Sequence, residues 1–543
     1  MSLRRSAHAR GLVAFASLVS VLLFANPFAA AQAAVTTYHS DNYRTGWNNA
    51  ETTLTPANVN PAQFGLLASV AVDDQVDAQP LMVPNVNITA GNYQGTHNVV
   101  YIVTGNDTVY AIDAVAGTIL LSNHLGSPVK EPLGCNNNGP NVGITSTPVI
   151  DTAANNIYLI AYTQDSTGPN YRLHALDLGN LTDKITPTVI TASHTLTNGS
   201  SFVFNAKYQR QRPALLEANG NIYAGFGSFC DYSANVSRGW LLGWNAATLA
   251  PLAANQLFDT QLTSPDNFFL SSIWMSGYGL AADDSGNIVF VTGNSDYSGN
   301  TYDGTTNIQE STIEVSSDLT TMVDLFTPYY WSSLDQYDTD FGSGGVMVLP
   351  DQPGSIPHLA VAAGKNGSMF LMNEDDLGGY STTTNNVLGT YQIGGCWCGE
   401  SYFVDPSDGL ARVVSSGGNV VDVWKLQTSP TPKLTNVTHA AISTGQNGGF
   451  FTTVSSNGTA GPIIWALSRP TSQKPPTMIL YAFNPETAGK AMATLFKGVA
   501  GSWPNIYGDS NQVPTVANGL VYVGSYKSLR IFGLKPQGKG TSK

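Results

Sequence analysis

Residues 391–403 read YQIGGCWCGESYF, and Cys396 and Cys398, on either side of Trp397, are two of the four cysteines in the chain. A pair so spaced can clip a metal, switch with redox state or crosslink the fold. YDTDFGSGG carries Asp338 and Asp340 ahead of a glycine run that permits close backbone approach, so the carboxylates either cap a turn or serve a site. Lys365 precedes Asn366-Gly367, a natural type I′ turn, where the ammonium is either exposed or aimed at a ligand. Trp274 lies upstream of Thr292-Gly293-Asn294; the indole can pack a core or wall a site, and the Asn can simply hold a turn.

The N-terminal YHSDNYRTGWN is dense in polar and aromatic groups. Arg44 and Asp41 can pair structurally, or His39 and Arg44, with Arg212 of YQRQRPALL, can line a substrate rim. Arg210 and Arg212 can hold a carboxylate or brace the fold. Trp331, Trp503 and Tyr507 suit either sugar stacking or a core. The 8 histidines lack metal-ligand spacing, and no nucleophile elbow, Walker loop or dinucleotide fingerprint occurs.

These residues sit between recurring phrases: an apolar strand, a Gly-containing turn, a second apolar strand, then Asp or Asn and another turn. NVVYIVTGNDTVYAIDAVAGTIL is the clearest copy, and NIVFVTGNSDYSGN, LAVAAGKNGSMFLMNEDDLGG and GLVYVGSYKSLRIFGL are others. Copies recur about every sixty residues. The pattern predicts an all-β, single closed β-propeller of eight four-stranded antiparallel blades, with seven as the alternative. The N-terminal segment is expected to supply an outer strand to the last blade and so fasten the ring.

Arg4-Arg5 followed by an apolar run ending in Ala31-Gln32-Ala33 reads as a signal peptide. The expected organisation is therefore a signal peptide at 1–33, a propeller at 34–535 and a flexible tail at 536–543, in a secreted or periplasmic protein with no membrane insertion after processing. A formal charge of -13 with 24 Lys plus Arg excludes nucleic acid as a partner and favours a small-molecule or carbohydrate substrate.

VVYIVTGNDTVYAIDAVAG resembles the repeat of the pyrroloquinoline-quinone (PQQ) dehydrogenase-like propellers, although Ala116 replaces its Thr and its Trp is missing. Five segments are similar to those of the quinoprotein alcohol dehydrogenases, in chain order. The resemblance implies PQQ and calcium as cofactors. It makes Trp274 the floor under the quinone, Asp231, Asn294 and Asp340 calcium ligands, Asp340 the catalytic base with Asp338 second, Lys365 the partner of the quinone carbonyls and Trp397 part of the cofactor face. It implies oxidation of an alcohol or sugar, with electrons passing to a free acceptor because no Cys-x-x-Cys-His haem motif is present.

The family's adjacent cysteine pair is represented only by Cys135. Cys135, Cys230, Cys396 and Cys398 would then all lie in loops over one opening. Two disulfides are expected, with Cys396 and Cys398 bonding outward to Cys135 and Cys230 because a one-residue gap strains a direct bridge. A thiolate metal site is the alternative for the cysteines. For the protein, the alternatives are a cofactor-free polysaccharide lyase or hydrolase and a non-catalytic binding propeller.

Overall fold

Strands such as NVVYIV and TVYAID are apolar at successive positions, so both of their faces must be covered. In the computed structural model, which describes residues 32–536 apart from 132, 134–138, 232, 263–268, 296–301, 444–447, 471–473, 487–490 and 506–511, they are. Residues 99–103 are buried without a break, and their hairpin partner Thr108–Asp113 is buried up to its last residue. The register runs from Val99 opposite Asp113 to Val103 opposite Val109, and Asp107 turns the chain at a φ of 54°. Leu359–Ala363 is buried at all positions in the same way, whereas the outer strand Lys433–Ala441 exposes one face.

Eight such sheets form the blades of a β-propeller. Their first strands are Leu81–Ile88, Val149–Asp151, Leu216–Ala218, Ala281–Ala282, Val346–Val348, Ser401–Val404, Phe451–Asn457 and Thr515–Ala517. The ring closes as the sequence leads one to expect. Phe64–Gln75 pairs antiparallel with Leu520–Leu534, beginning at Phe64 opposite Leu534. Leu520–Leu534 folds back at Lys527, whose φ is 55°, and brings Gly533 against Leu520, where a Cβ would lie 2.7 Å from Cδ2. It therefore supplies two strands of the eighth blade. The one α-helix among the described residues, Trp331–Tyr337, joins the fourth blade to the fifth and is too short to announce itself by periodicity.

A strand at the axis of a ring has one edge with no neighbouring strand, and its buried N–H and C=O groups need partners. Residues 35–48 supply them blade by blade. Val35 exchanges hydrogen bonds with Met82, the Thr36 carbonyl accepts from Ile150 N–H, and Asn42 Nδ2 donates to the Glu217 carbonyl. The carbonyls of Asn42, Tyr43, Thr45 and Gly46 accept from the N–H groups of Ala282, Val348, Tyr402 and Val454, and Asn48 Nδ2 donates to the Val516 carbonyl. One short segment thus touches all eight first strands, which must surround it.

This placement overturns the reading of His39, Arg44 and Arg212 as a substrate rim. All three are buried. Arg44 Nε donates to the Leu280 carbonyl at 2.7 Å, Nη1 to Thr37 Oγ1 and to the Tyr38 and Asp41 carbonyls, and Nη2 to the Leu215 carbonyl at 3.1 Å. His39 stacks on Tyr38 with ring centres 4.7 Å apart, meets Tyr278 edge-on, and is lowered to about 3 by burial, so it is neutral. Arg212 donates to the Thr145 carbonyl and lies against Gly277, where a Cβ would stand 2.4 Å from Nη1. Arg210 is buried as well, and Trp503 is a core residue; Tyr507 falls outside the described residues.

Truncating Arg44 strands four backbone carbonyls at the axis. Arg44→Ala is expected to cost about 3 kcal/mol or more in denaturant unfolding, and Arg44→Lys to recover little of it, since an ammonium cannot replace the guanidinium fork. A loss below about 1 kcal/mol, the scale of a surface substitution, would show that the segment is dispensable.

Candidate functional site

Successive strands of a blade run in opposite directions, so the turns between second and third strands lie at the same end as the connections between blades. Asp231 follows the strand Asn221–Ser228, Asn294 follows Ile288–Val291, and Lys365 follows Leu359–Ala363. Trp274, Asp338, Asp340 and Trp397 lie in the connections entering the fourth, fifth and sixth blades. All seven predicted residues therefore share one end of the propeller, over blades three to six.

Lys365 is their centre. Its Nζ donates to Asp338 Oδ1 at 2.9 Å, stands 3.5 Å from Asp340 Oδ2, and lies 5.2 Å from the Trp274 ring and 5.6 Å from the Trp397 ring. The Lys365 N–H donates to the Asp340 carbonyl, which fixes the turn to the aspartate loop. Asn294 Nδ2 reaches Asp231 Oδ2 at 3.5 Å, and Ser228 Oγ donates to Asp231 Oδ1 at 2.9 Å. Gly293 explains the Thr-Gly-Asn sequence, because a Cβ there would lie 2.9 Å from Trp274 Nε1 and 3.3 Å from Asp340 Oδ2. Gly448 does the same for Trp397, whose ring carbons come within 2.6 Å of where a Cβ would be.

Two carboxylates behind Asp340 escaped sequence reasoning. Glu310 Oε2 accepts from the Phe341 N–H, next in the chain to Asp340, and Asp335 accepts from Ser295 N–H and Gln309 Nε2. Glu310 holds a φ of 53° and is fully buried. Neither residue lies in a motif, so only the fold reveals them.

Carboxylates outnumber cations here, and their titration records it. Burial pushes Asp340 up to about 7; Lys365 opposes the rise while Asp231 and Asp338 add to it. Burial lifts Asp335 to about 8, and burial followed by the charges of Asp340 and Asp335 raises Glu310 well above its ordinary value. Burial works against the Lys365 ammonium, yet Asp340 and then Asp338 hold it above the usual range. Asp340 Oδ1 is buried without a hydrogen-bond partner. Glu310 Oε1 is likewise unpartnered, and a cluster of buried carboxyl oxygens with unmatched acceptors has the chemistry of a hard-cation site.

The cysteines correct another expectation. Cys396 and Cys398 are bonded to each other, with Cα atoms 4.9 Å apart, inside the range a disulfide requires. They do not reach outward, and they are not thiolate ligands. The turn that brings them together runs between Gly394-Gly395 and Gly399; a Cβ on Gly399 would fall 1.9 Å from Tyr278. Cys230 is disulfide-bonded, and Cys135 lies outside the described residues. Glu400 is fully buried beside the sulfurs, neither of its oxygens has a partner, and burial pushes it up to about 8.

The opposite end holds a separate cavity of about 330 Å³ lined by Asp283, Asp284, Glu314, Asp324, Glu374 and Asp375 among others. Burial, reinforced by Asp283, raises Glu314 to about 7 and Glu374 to about 8.

No family model matches the chain, and no curated relative matches its sequence. Solved structures do share its fold. The quinohemoprotein alcohol dehydrogenase of Comamonas testosteroni superposes with a TM-score of 0.58 at 12% identity, over 94% of this chain and 82% of that one. A quinohemoprotein alcohol dehydrogenase from Pseudomonas putida gives 0.58 at 14% identity, over 93% and 81%. A europium-containing methanol dehydrogenase gives 0.56 at 11% identity, over 92% and 98%.

The raised Asp340 gives a signed prediction. A carboxyl whose folded value exceeds its unfolded value favours the fold below the unfolded value, and that contribution is lost as pH rises toward about 7. Without added divalent cation, Asp340→Asn is expected to melt at a higher temperature than wild type at pH 8 and at nearly the same temperature at pH 4. Lower melting of the variant at pH 8 would contradict the assignment.

Proposed function

We propose that the end of the propeller around Lys365 binds PQQ and a calcium ion, and that the protein is an exported dehydrogenase of alcohols or sugars. The observation that carries this reading is convergence: Trp274, Asp338, Asp340 and Trp397, selected one segment at a time by resemblance to quinoprotein alcohol dehydrogenases, meet around one ammonium. The chain also has the eight-bladed fold of such enzymes.

The residues fit the cofactors. Asp231, Asn294 and Asp340 offer only oxygen atoms to a hard ion, and the unpartnered Asp340 Oδ1 leaves a position for it. The indoles of Trp274 and Trp397 are partly exposed and flank the Lys365 ammonium, so a flat conjugated ring can lie against them. The quinone supplies a two-electron acceptor and the calcium a Lewis acid. Asp340 can take a hydroxyl proton, with the exposed Asp338 as the second candidate. Lys365 stabilises negative charge at its Nζ, and the Trp274 and Trp397 rings exclude water. The sequence carries no haem-attachment motif, so a dehydrogenase of this kind would require a separate electron acceptor.

Adding PQQ with calcium, or with a lanthanide, to the purified chain is expected to raise its melting temperature and to leave quinone absorbance on the protein after gel filtration. Dye reduction with alcohols or aldoses should follow. Asp340→Ala and Lys365→Ala should each lower the rate by about 100-fold or more. No uptake and no melting shift with either metal would refute the reading and return attention to polysaccharide hydrolysis or elimination.

A further inference from the structure

The helix Trp331–Tyr337 carries aromatic rings that neither the core nor the proposed cofactor site uses. Trp331, Tyr302 and Tyr380 form one cluster: Tyr302 lies 5.8 Å from Trp331 and 4.8 Å from Tyr380 between ring centres. Trp331 Nε1 donates to Tyr380 Oη at 3.1 Å, and Tyr302 Oη accepts from Thr327 Oγ1. Hydrogen bonds at the ring edges thus fix a partly exposed surface. Within the cluster Tyr380 is 39% exposed and Trp331 and Tyr302 are partly exposed, while Tyr329 and Tyr337, its neighbours along the chain, are exposed at 44% and 68%.

This surface is built onto the site. Asp338, the residue that ends the helix, is the partner of Lys365 Nζ at 2.9 Å. At the other end Tyr330 Oη donates to Ser368 Oγ and accepts from Asn366 Nδ2, next to Lys365. Asp335, inside the helix, accepts from Ser295 N–H beside Asn294. The rings and the site therefore hold a fixed relation on the same end of the propeller.

We infer that this aromatic surface is a binding subsite for a neutral carbohydrate chain, and that the substrate extends beyond the ring that reaches Lys365. The reaction itself rests on the dehydrogenase reading. Flat rings offer apolar faces to the C–H faces of sugars, and their hydroxyls and indole N–H offer polar edges. The exposed residues beside them, Ser332, Ser333, Gln336 and Asp338, are neutral or acidic, which suits a polyhydroxylated neutral ligand and opposes an anionic membrane or polyanion. No exposed aliphatic side chain stands among residues 331–338, as it would on a surface made for a hydrophobic protein partner.

The test needs no quinone. Cellotetraose, xylotetraose and maltotetraose are titrated against the full chain by calorimetry, with glucose as the short probe and phosphatidylglycerol vesicles as a control. At least one tetrasaccharide should bind, about 10-fold or more tighter than glucose. Trp331→Ala should remove that advantage; Tyr380→Phe, which keeps the ring but loses the bond to Trp331, should weaken it less. Both variants should retain the wild-type melting temperature within a few degrees. Absence of tetrasaccharide binding, unchanged binding by Trp331→Ala, or binding to vesicles alone would each overturn the inference. A protein that takes up PQQ but binds no tetrasaccharide loses this subsite and keeps its proposed site; one that binds the sugar but no PQQ does the reverse.

Discussion

Eight first strands arranged about an axis leave eight rows of backbone donors and acceptors with no ninth strand to satisfy them. Residues 35–48 meet that constraint, and much of the structure follows from it. Arg44 is buried because its guanidinium spans carbonyls on the segment itself and beside two blades. Tyr278 donates to the Arg44 and Glu400 carbonyls, so its ring must cross the axis. Gly345 and Gly399 admit it, since a Cβ on either would stand 1.9 Å from the ring. Gly345 lies just beyond Asp340, and Gly399 just beyond Trp397. The plug on the axis is thereby in contact with the two loops that bring those residues to the site.

On this support the site concentrates negative charge. Asp340, Glu310 and Asp335 are buried together with one ammonium near them, an arrangement that costs stability as the carboxyls ionise. Lys365 relieves part of the cost and a bound cation would relieve more. The same logic separates the two ends of the propeller. At the site end, indoles and a lysine share the space with the carboxylates; the cavity around Glu314 and Glu374 has carboxylates with His358 as the hydrogen-bond partner of Asp375.

The repeat phrases made the propeller legible because paired apolar strands with Gly turns have few other ways to bury both faces. Closure by Phe64–Gln75 was legible for the same reason. The convergence of Trp274, Asn294, Asp340 and Lys365 could be anticipated from resemblance, segment by segment. His39 and Arg44 could not be placed, since polar side chains near a terminus ordinarily belong to the surface. Here they answer an unmet need of other strands, which becomes visible only once the ring is closed. Glu310, Asp335 and Glu400 were hidden likewise, as single acids without a pattern. The Cys396–Cys398 bridge depends on a glycine-flanked turn against Tyr278, which no local spacing rule conveys.

The most direct test of the account is a crystal structure of the protein grown with PQQ and a lanthanide, with the metal located by its anomalous scattering. The account predicts a peak within about 2.3–2.6 Å of oxygens from Asp231, Asn294 and Asp340, with quinone density against Trp274 and Trp397. A metal found only in the cavity beside Glu314 and Glu374, or quinone absent from the face around Lys365, would contradict it.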